Sequence, residues 1–216
     1  MSLTLYLHPL SSFCHKVLVA LYENGTPFTP HLVDLSDKAS RETFLAIWPI
    51  GKFPVLRDDA RKETIPESTT IIEHLDRHYP GATCLIPENF EDAMDVRLRD
   101  RLYDLYIHMQ MQTIVGDRLR PADKKDPFGV EQARARMRTA YDLMDAEMAT
   151  RTWAAGDTFT LADCSACPAL FYGDRVLPFT DTHKNLAAYF ARLEARPSFA
   201  RVIEEAKPYF HMFPKE

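Results

Sequence analysis

The chain opens on an apolar-rich run, Leu3-Thr-Leu-Tyr-Leu7, which reads as a short buried strand, and His8-Pro9 breaks it. Ser11 and Ser12 are good helix starters. Cys14, Val17, Leu18 and Leu21 then recur at helical spacing until Asn24-Gly25 supplies a left-handed stop. Residues 28–35 predict a second strand, with Leu32, Val33 and Leu35 as its apolar content. A short helix over Arg41 to Trp48 follows, and Pro49-Ile-Gly51 ends it. Phe53-Pro54-Val55-Leu56 is a strand that opens with proline, Asp58-Asp59 is a turn, and Lys62 to Pro66 returns as an antiparallel edge. Glu67-Ser68-Thr69-Thr70 starts another helix, with Ile71, Ile72, Leu75 and Tyr79 along one face, and Pro80-Gly81 closes it. The order is βαβαββα. A strand, a helix and a strand in sequence imply a parallel pair with a right-handed crossover, and the later hairpin makes the sheet mixed.

From about Pro87 the texture changes. Helical periodicity covers 89–118, 128–151, 161–177, 184–195 and 199–206, with no strand pattern among them. The expected organisation is an α/β unit over 1–80, a linker over 81–88 and an all-α helical unit over 89–216.

Composition narrows the function classes. With 216 residues, 46% hydrophobic and 26% charged, the chain has ample material for two small cores. Its net charge of −5 and the lack of a basic run argue against nucleic acid as a partner. No apolar stretch approaches the roughly 18 residues that span a bilayer, so no membrane association is expected. The first ten residues lack the pattern of a signal peptide. Four cysteines, Cys14, Cys84, Cys164 and Cys167, are too few for a disulfide framework and suit the reducing cytoplasm.

Three features of the first unit bear on chemistry. Ser11-Ser12-Phe13-Cys14 lies directly after a strand at a helix start, where orphan N–H groups and partial positive charge favour an anion such as a thiolate. Disulfide oxidoreductases carry a Cys-x-x-Cys pair at that location. Here the first position is Ser11, which cannot form a disulfide but can donate a hydrogen bond to a thiolate brought by a ligand. Phe53-Pro54 is a candidate cis peptide, which would turn the backbone N–H and C=O of Phe53 toward a peptide-like ligand. Glu67-Ser68 opens the next helix. A serine cap there suits a carboxylate and the adjacent glutamate an ammonium, together an α-amino acid terminus.

In order and spacing these segments resemble the glutathione transferase superfamily. The resemblance rests on Leu5-Tyr6, Pro9 to Val17, Pro49-Ile-Gly-Lys-Phe-Pro-Val-Leu56, Ile65-Pro66-Glu67-Ser68, and Phe159-Thr160-Leu161-Ala162-Asp163 in the helical unit. It covers essentially the whole chain, and the serine-type zeta, tau, phi and theta subfamilies look closest. It implies a thioredoxin-like first domain, a helical second domain and glutathione as cofactor. It puts Ser11 in the activating position, with Ser12 as second choice. Phe13, Lys38, Lys52, Phe53, Pro54, Glu67 and Ser68 become glutathione contacts: Lys52 and Lys38 for the glycine carboxylate, the Phe53 backbone for the cysteinyl part, and Glu67 and Ser68 for the γ-glutamyl end. A small hydrophobic electrophile would lie between the domains against Leu10, Tyr103, Tyr106, Ile107, Met109 and Gln110. The Tyr209–Phe213 segment either closes over it or packs outside. Thr160-x-x-Asp163 resembles the family's capping box and belongs to folding. Family members are usually homodimers.

Other readings stay open at this point. A glutathione-dependent isomerase of the maleylacetoacetate type is compatible with the Ser-Ser pair, although Phe13 interrupts the usual Ser-Ser-Cys-Ser run. A non-catalytic binding protein of the same fold and a thiol-disulfide reductase are further alternatives. Cys164-x-x-Cys167 has no second pair, and His74 and His78 lack the glutamate of a zincin motif, so no metal is expected.

Overall fold

The structure, a computed structural model, describes residues 2–214. Met1 and residues 215 and 216, at the outer ends of the two expected domains, lie outside the described residues.

The first part runs β1 (Leu3–Leu7), α1 (Ser12–Glu23), β2 (Thr29–Leu32), α2 (Lys38–Ile47), β3 (Val55–Asp58), β4 (Glu63–Pro66) and α3 (Ser68–His78). The sheet order is β2-β1-β3-β4, with β1 and β2 parallel and the other two pairs antiparallel. Leu5 stands opposite Pro30 on one side and Leu56 on the other. Leu3, Leu5 and Leu7 are buried and alternate with half-buried residues, the period expected of a strand. β2 is shorter than the 28–35 expectation and exposed throughout. It is an edge, and Pro30 has no N–H to extend a ladder further. The Phe53–Pro54 peptide bond is cis, and β3 begins one residue after it.

The second part is helical: α4 (Phe90–Tyr103), a π-helical turn (Asp104–His108), α5 (Met109–Arg118), a 3₁₀ turn (Ala122–Lys124), α6 (Pro127–Met148), α7 (Leu161–Val176), α8 (Lys184–Glu194), α9 (Pro197–Ala206) and a closing 3₁₀ segment (Lys207–Met212). Residues 161–173 of α7 are all buried, as befits a central helix that is apolar all round. A capping box starts α7. The Asp163 carboxylate accepts from the N–H of Thr160 and of Ala154, each at 2.8 Å, and from the Tyr189 hydroxyl at 2.6 Å.

The two parts meet where α1 packs on α7 and α9. Residues 14–21 of α1 are buried in succession, because the sheet takes one side and α7 the other. Cys164 and Cys167 lie inside this core, and burial pushes both thiols well up from their usual value. His74 is engaged locally, its Nε2 3.0 Å from Oδ2 of buried Asp58, which also accepts from the Tyr79 hydroxyl at 2.7 Å.

Candidate functional site

Ser11 is the N-cap of α1. Its backbone is extended (φ −76°, ψ 117°), and its Oγ accepts from the Cys14 N–H at 3.3 Å. Because that bond uses a lone pair, the hydroxyl proton remains to be donated elsewhere. The loop ahead of Ser11 is held from two sides. The Ser11 N–H donates to the His8 carbonyl at 3.0 Å, and His15 Nε2 lies 2.6 Å from the Pro9 carbonyl, an acceptor that requires the proton on that nitrogen. Burial lowers His15 to about 4, so the ring is neutral at pH 7.

Ser11 opens onto a cavity of about 330 Å³ whose wall also includes Phe13, Lys52, Phe53, Pro54, Glu67 and Ser68. Lys52 is brought there by Gly51 at φ +69°, a left-handed position where a Cβ would also stand 3.0 Å from Leu45 Cδ2. The Phe53 ring is wedged between His8 and Phe44, with centroids 5.7 and 6.2 Å away. Glu67 rather than Ser68 occupies the cap position of α3. It sits at φ +69°, a left-handed conformation that costs a non-glycine residue about 1 kcal/mol or more, and its side chain makes no capping bond. Ser68 is therefore the first helical residue, and the N–H groups of that turn are left without a cap from Glu67.

Five expectations need correction. Tyr103 and Ile107 are core residues, 3% and 0% exposed, and form no wall. Tyr106 is exposed but lines no part of the cavity. Gln110 turns away from it, donating from Nε2 to the Leu105 carbonyl at 2.9 Å. Leu10 is likewise absent from the wall. Met109 lines it, and so do Gln112 and Leu35, which the sequence pattern does not single out as walls. For Gln110, which lies beyond it, the cause is the π-helical turn. The Met109 N–H bonds back to the Asp104 carbonyl, five residues earlier, so the turn holds one extra residue and rotates everything beyond it by about 100°. Gln110 covers the carbonyl of Leu105 within that turn. Nothing in the apolar periodicity announces such a turn.

Lys38, expected at the glycine carboxylate, and Ser12, the second-choice hydroxyl, also lie off the wall, and the C-terminal segment takes the outer of the two placements left open for it. Lys38 is 79% exposed, 3.7 Å from Glu42, and not part of the wall. Ser12 is buried one residue inside the helix, and again not on the wall, which leaves Ser11 as the accessible hydroxyl. Phe210 and Phe213 stack on Phe171 and Tyr172 of α7, at 5.8 and 5.7 Å, so the described C-terminal segment packs on that helix instead of lining the cavity.

Beneath the cavity lies a buried charge cluster. Lys16, one turn beyond Ser12 on α1, is 0% exposed, and its Nζ is 2.5 Å from Asp100 Oδ1, 2.8 Å from Asp104 Oδ2 and 2.9 Å from Thr69 Oγ1. Ser165 donates to Asp104 Oδ1 at 2.7 Å, and His108 Nδ1 is 3.2 Å from the same oxygen. Burial pushes the Asp104 carboxyl up, but the Lys16 charge and His108 outweigh it and hold the group below the usual carboxylate range. Thr69 belongs to the first turn of α3, so one ammonium ties together the helix that carries Ser11, the helix that carries Ser68 and the helical wall. A second cavity of about 530 Å³ adjoins the first through Phe13, Glu67, Ser68 and Met109 and reaches Arg97 and Arg101. Cys14 is no rival to Ser11: burial pushes its thiol up to about 12, even with the Ser11 bond pulling it down.

Family models described as the N-terminal and C-terminal domains of glutathione S-transferase match residues 5–83 and 102–197. Glutathione S-transferase 3 of Zea mays is 30% identical over 210 residues, covering 93% of this chain and 93% of that protein. The chain belongs to the glutathione S-transferase family. Glutathione S-transferase GstB of Escherichia coli K12 is 24% identical over 202 residues, 93% of this chain and 97% of its own. A glutathione S-transferase from Methylobacillus flagellatus KT, solved with glutathione bound, superposes with a TM-score of 0.86 at 27% identity, covering 93% of this chain and 98% of that one. Glutathione transferase activity in general, with glutathione as the thiol, comes with that membership.

Proposed function

We propose that this transferase binds glutathione extended beside Phe53 and holds its sulfur as thiolate with the Ser11 hydroxyl, for attack on a small hydrophobic electrophile. The observation that carries the reading is convergence: the free proton of an N-cap serine, the cis Phe53–Pro54 unit, Lys52 and the uncapped start of α3 share one cavity. Lys52 would meet the glycine carboxylate, Glu67 the γ-glutamyl ammonium, and the first-turn N–H groups at Ser68 its carboxylate. The division of labour follows the chain: residues 1–80 take glutathione, 89–216 supply the electrophile wall, and 81–88 connect them. A thiol of ordinary pKa, about 8.5, needs roughly 2.7 kcal/mol to fall by two units. A charge-assisted bond from the hydroxyl contributes about 1.5–3 kcal/mol and a helix N-terminus about 0.3–1 more, so the two together suffice.

Ser11→Ala tests this directly. Glutathione affinity by calorimetry should stay within about threefold, while the ultraviolet thiolate absorbance of the complex should titrate about two units higher. An unchanged titration refutes the role of Ser11.

Two further parts of the reading are partner and compartment. Phe90, Met94 and Leu98, at helical spacing on α4, are 69%, 48% and 52% exposed, and Ile50 beside the cavity is 65% exposed. Such a row suits burial against a second copy in a homodimer; sedimentation of the wild type against Met94→Glu/Leu98→Glu checks it, a monomeric wild type being the adverse result. Four unpaired cysteines suit the reducing cytoplasm.

A further inference from the structure

The cavity wall divides by what glutathione would use. Ser11, Lys52, Glu67 and Ser68 answer its polar groups. The helical part adds Met109 and Gln112 to the same wall as Ser11. Gln112 is half-buried, and among the described residues its amide has no hydrogen-bond partner. Gln110, two residues earlier, spends its amide on the Leu105 carbonyl. The π-helical turn thus sorts two similar residues into different work: one satisfies the backbone, the other brings a neutral, unengaged amide to the cavity wall.

Resting on the reading of the site given above, we propose that Gln112 is a catalytic residue that selects electrophiles whose reacting carbon is conjugated to a carbonyl oxygen. A ligand that covers the amide without offering an acceptor leaves it desolvated and unpaired, whereas a carbonyl satisfies it. The preference is larger in the transition state than in the ground state. In conjugate addition the thiolate sulfur forms a bond to the β-carbon, the C=C pair moves to the α-carbon–carbonyl bond, and the C=O pair moves to oxygen. The resulting enolate oxygen carries the charge that sulfur gave up, and the Gln112 N–H stabilises it. Water then protonates the α-carbon, and the proton released when the thiol ionised neutralises the hydroxide, so glutathione plus enone gives the saturated thioether with nothing oxidised or reduced. Displacement of a halide sends the charge out on the leaving atom instead and puts none on an oxygen within reach of the amide.

The test compares a phenyl-substituted enone with benzyl chloride, two electrophiles of similar size, at saturating glutathione. Full-length wild type, Gln112→Leu and Gln112→Met are measured, both losing the donor without adding charge and the last keeping the unbranched shape. Both variants should lower kcat/KM for the enone by about 100-fold, a loss at least about tenfold greater than any on benzyl chloride. Glutathione affinity by calorimetry serves as the check on folding, and either variant alone is sufficient if the other does not fold. Equal losses on the two electrophiles, or no loss on either, overturn the inference while leaving the transferase reading intact. A wild type that turns over benzyl chloride but not the enone also overturns it. A wild type inert toward both overturns the transferase reading itself, together with this one.

Discussion

Lys16→Met preserves the length of a side chain that is 0% exposed and removes its charge. Asp100 and Asp104, with side chains 0% and 5% exposed, would keep Arg101, whose own side chain is 47% exposed and contacts both. One cation standing half in solvent would then face two buried carboxylates. Removing one member of a buried ion cluster typically costs about 3–5 kcal/mol. The surviving Arg101, Ser165 and His108 contacts place the expected loss at the low end, about 3 kcal/mol, or roughly 6–12 °C in Tm for a chain of this length.

The same variant has a signature in pH. In the wild type the folded Asp104 carboxyl lies below its unfolded value of about 3.9, so its stabilisation is full above that value and fades as pH falls toward the folded one. Without Lys16, burial acts on Asp104 with less opposition and its folded carboxyl rises from where the lysine held it. The variant's folded state then takes up a proton at higher pH than the wild type's, and its deficit shrinks as pH falls. Urea titrations followed by circular dichroism should give a deficit of about 3 kcal/mol at pH 7 and less than half of that near pH 4. A deficit below 1 kcal/mol at pH 7, or one that stays constant across the range, refutes the idea that the ammonium holds buried charge together.

Asp163→Asn removes the carboxylate that collects two N–H groups and two hydroxyls at the start of α7, and should cost about 3 kcal/mol; a loss under about 1 kcal/mol in the same titrations would show that the cap is dispensable. Cys14, with a thiol near 12 and no exposure, should resist iodoacetamide at pH 8 while exposed Cys84 reacts, as read by mass spectrometry; prompt labelling of Cys14 would contradict its burial. Deleting Leu105 should remove the extra residue of the π-helical turn and turn Met109 and Gln112 out of the cavity, changing the ranking of electrophiles while calorimetric glutathione affinity stays within about fivefold; an unchanged ranking would show that the turn does not set the wall.

What could be read from the sequence divides along the range of the interactions involved. Short-range chemistry announces itself: the Ser11 cap and the Asn24-Gly25 stop each rest on contacts within four residues, and the corresponding helix ends fall where the residues put them. The mixed sheet was legible for the same reason, since Asp58-Asp59 and the prolines punctuate it locally. β2 shrank to four residues because its outer neighbour is solvent, and Val33 and Leu35, apolar enough for a strand, serve instead to pack near Phe44. At the site, Ser11, Lys52, Phe53, Pro54, Glu67 and Ser68, drawn from loops and helix starts, share one cavity although Lys38 and Ser12 do not, and of the walls drawn from helix periodicity Met109 alone lines it. Tyr103, Tyr106, Ile107 and Gln110 share a face only if the helix never leaves 3.6 residues per turn.

The departure from that period has a cause in the buried charges, which sequence reading passed over. Lys16 looks like an ordinary polar position on an amphipathic helix, and Asp100, Asp104 and His108 look like the solvated face of another. Each is buried, because α1 brings its ammonium against α4. Asp104 and His108 are the first and last residues of the π-helical turn, and their side chains meet across it at 3.2 Å while Lys16 and Ser165 hold Asp104 from below. A turn with weaker backbone geometry is thus compensated by side-chain bonds on its inner side and by Gln110 on its outer side. On the proposed reading of the site, the lysine tied to the start of α3, where glutathione would bind, also braces the turn that sets Met109 and Gln112 in the cavity wall. If so, Thr69→Val, which cuts the α3 arm of the cluster without touching its charges, should raise KM for glutathione and leave the ranking of electrophiles unchanged. Lys16→Met should alter both. A Thr69→Val variant that re-ranks electrophiles would mean that the two arms are not separable and that the cluster acts as a single rigid support.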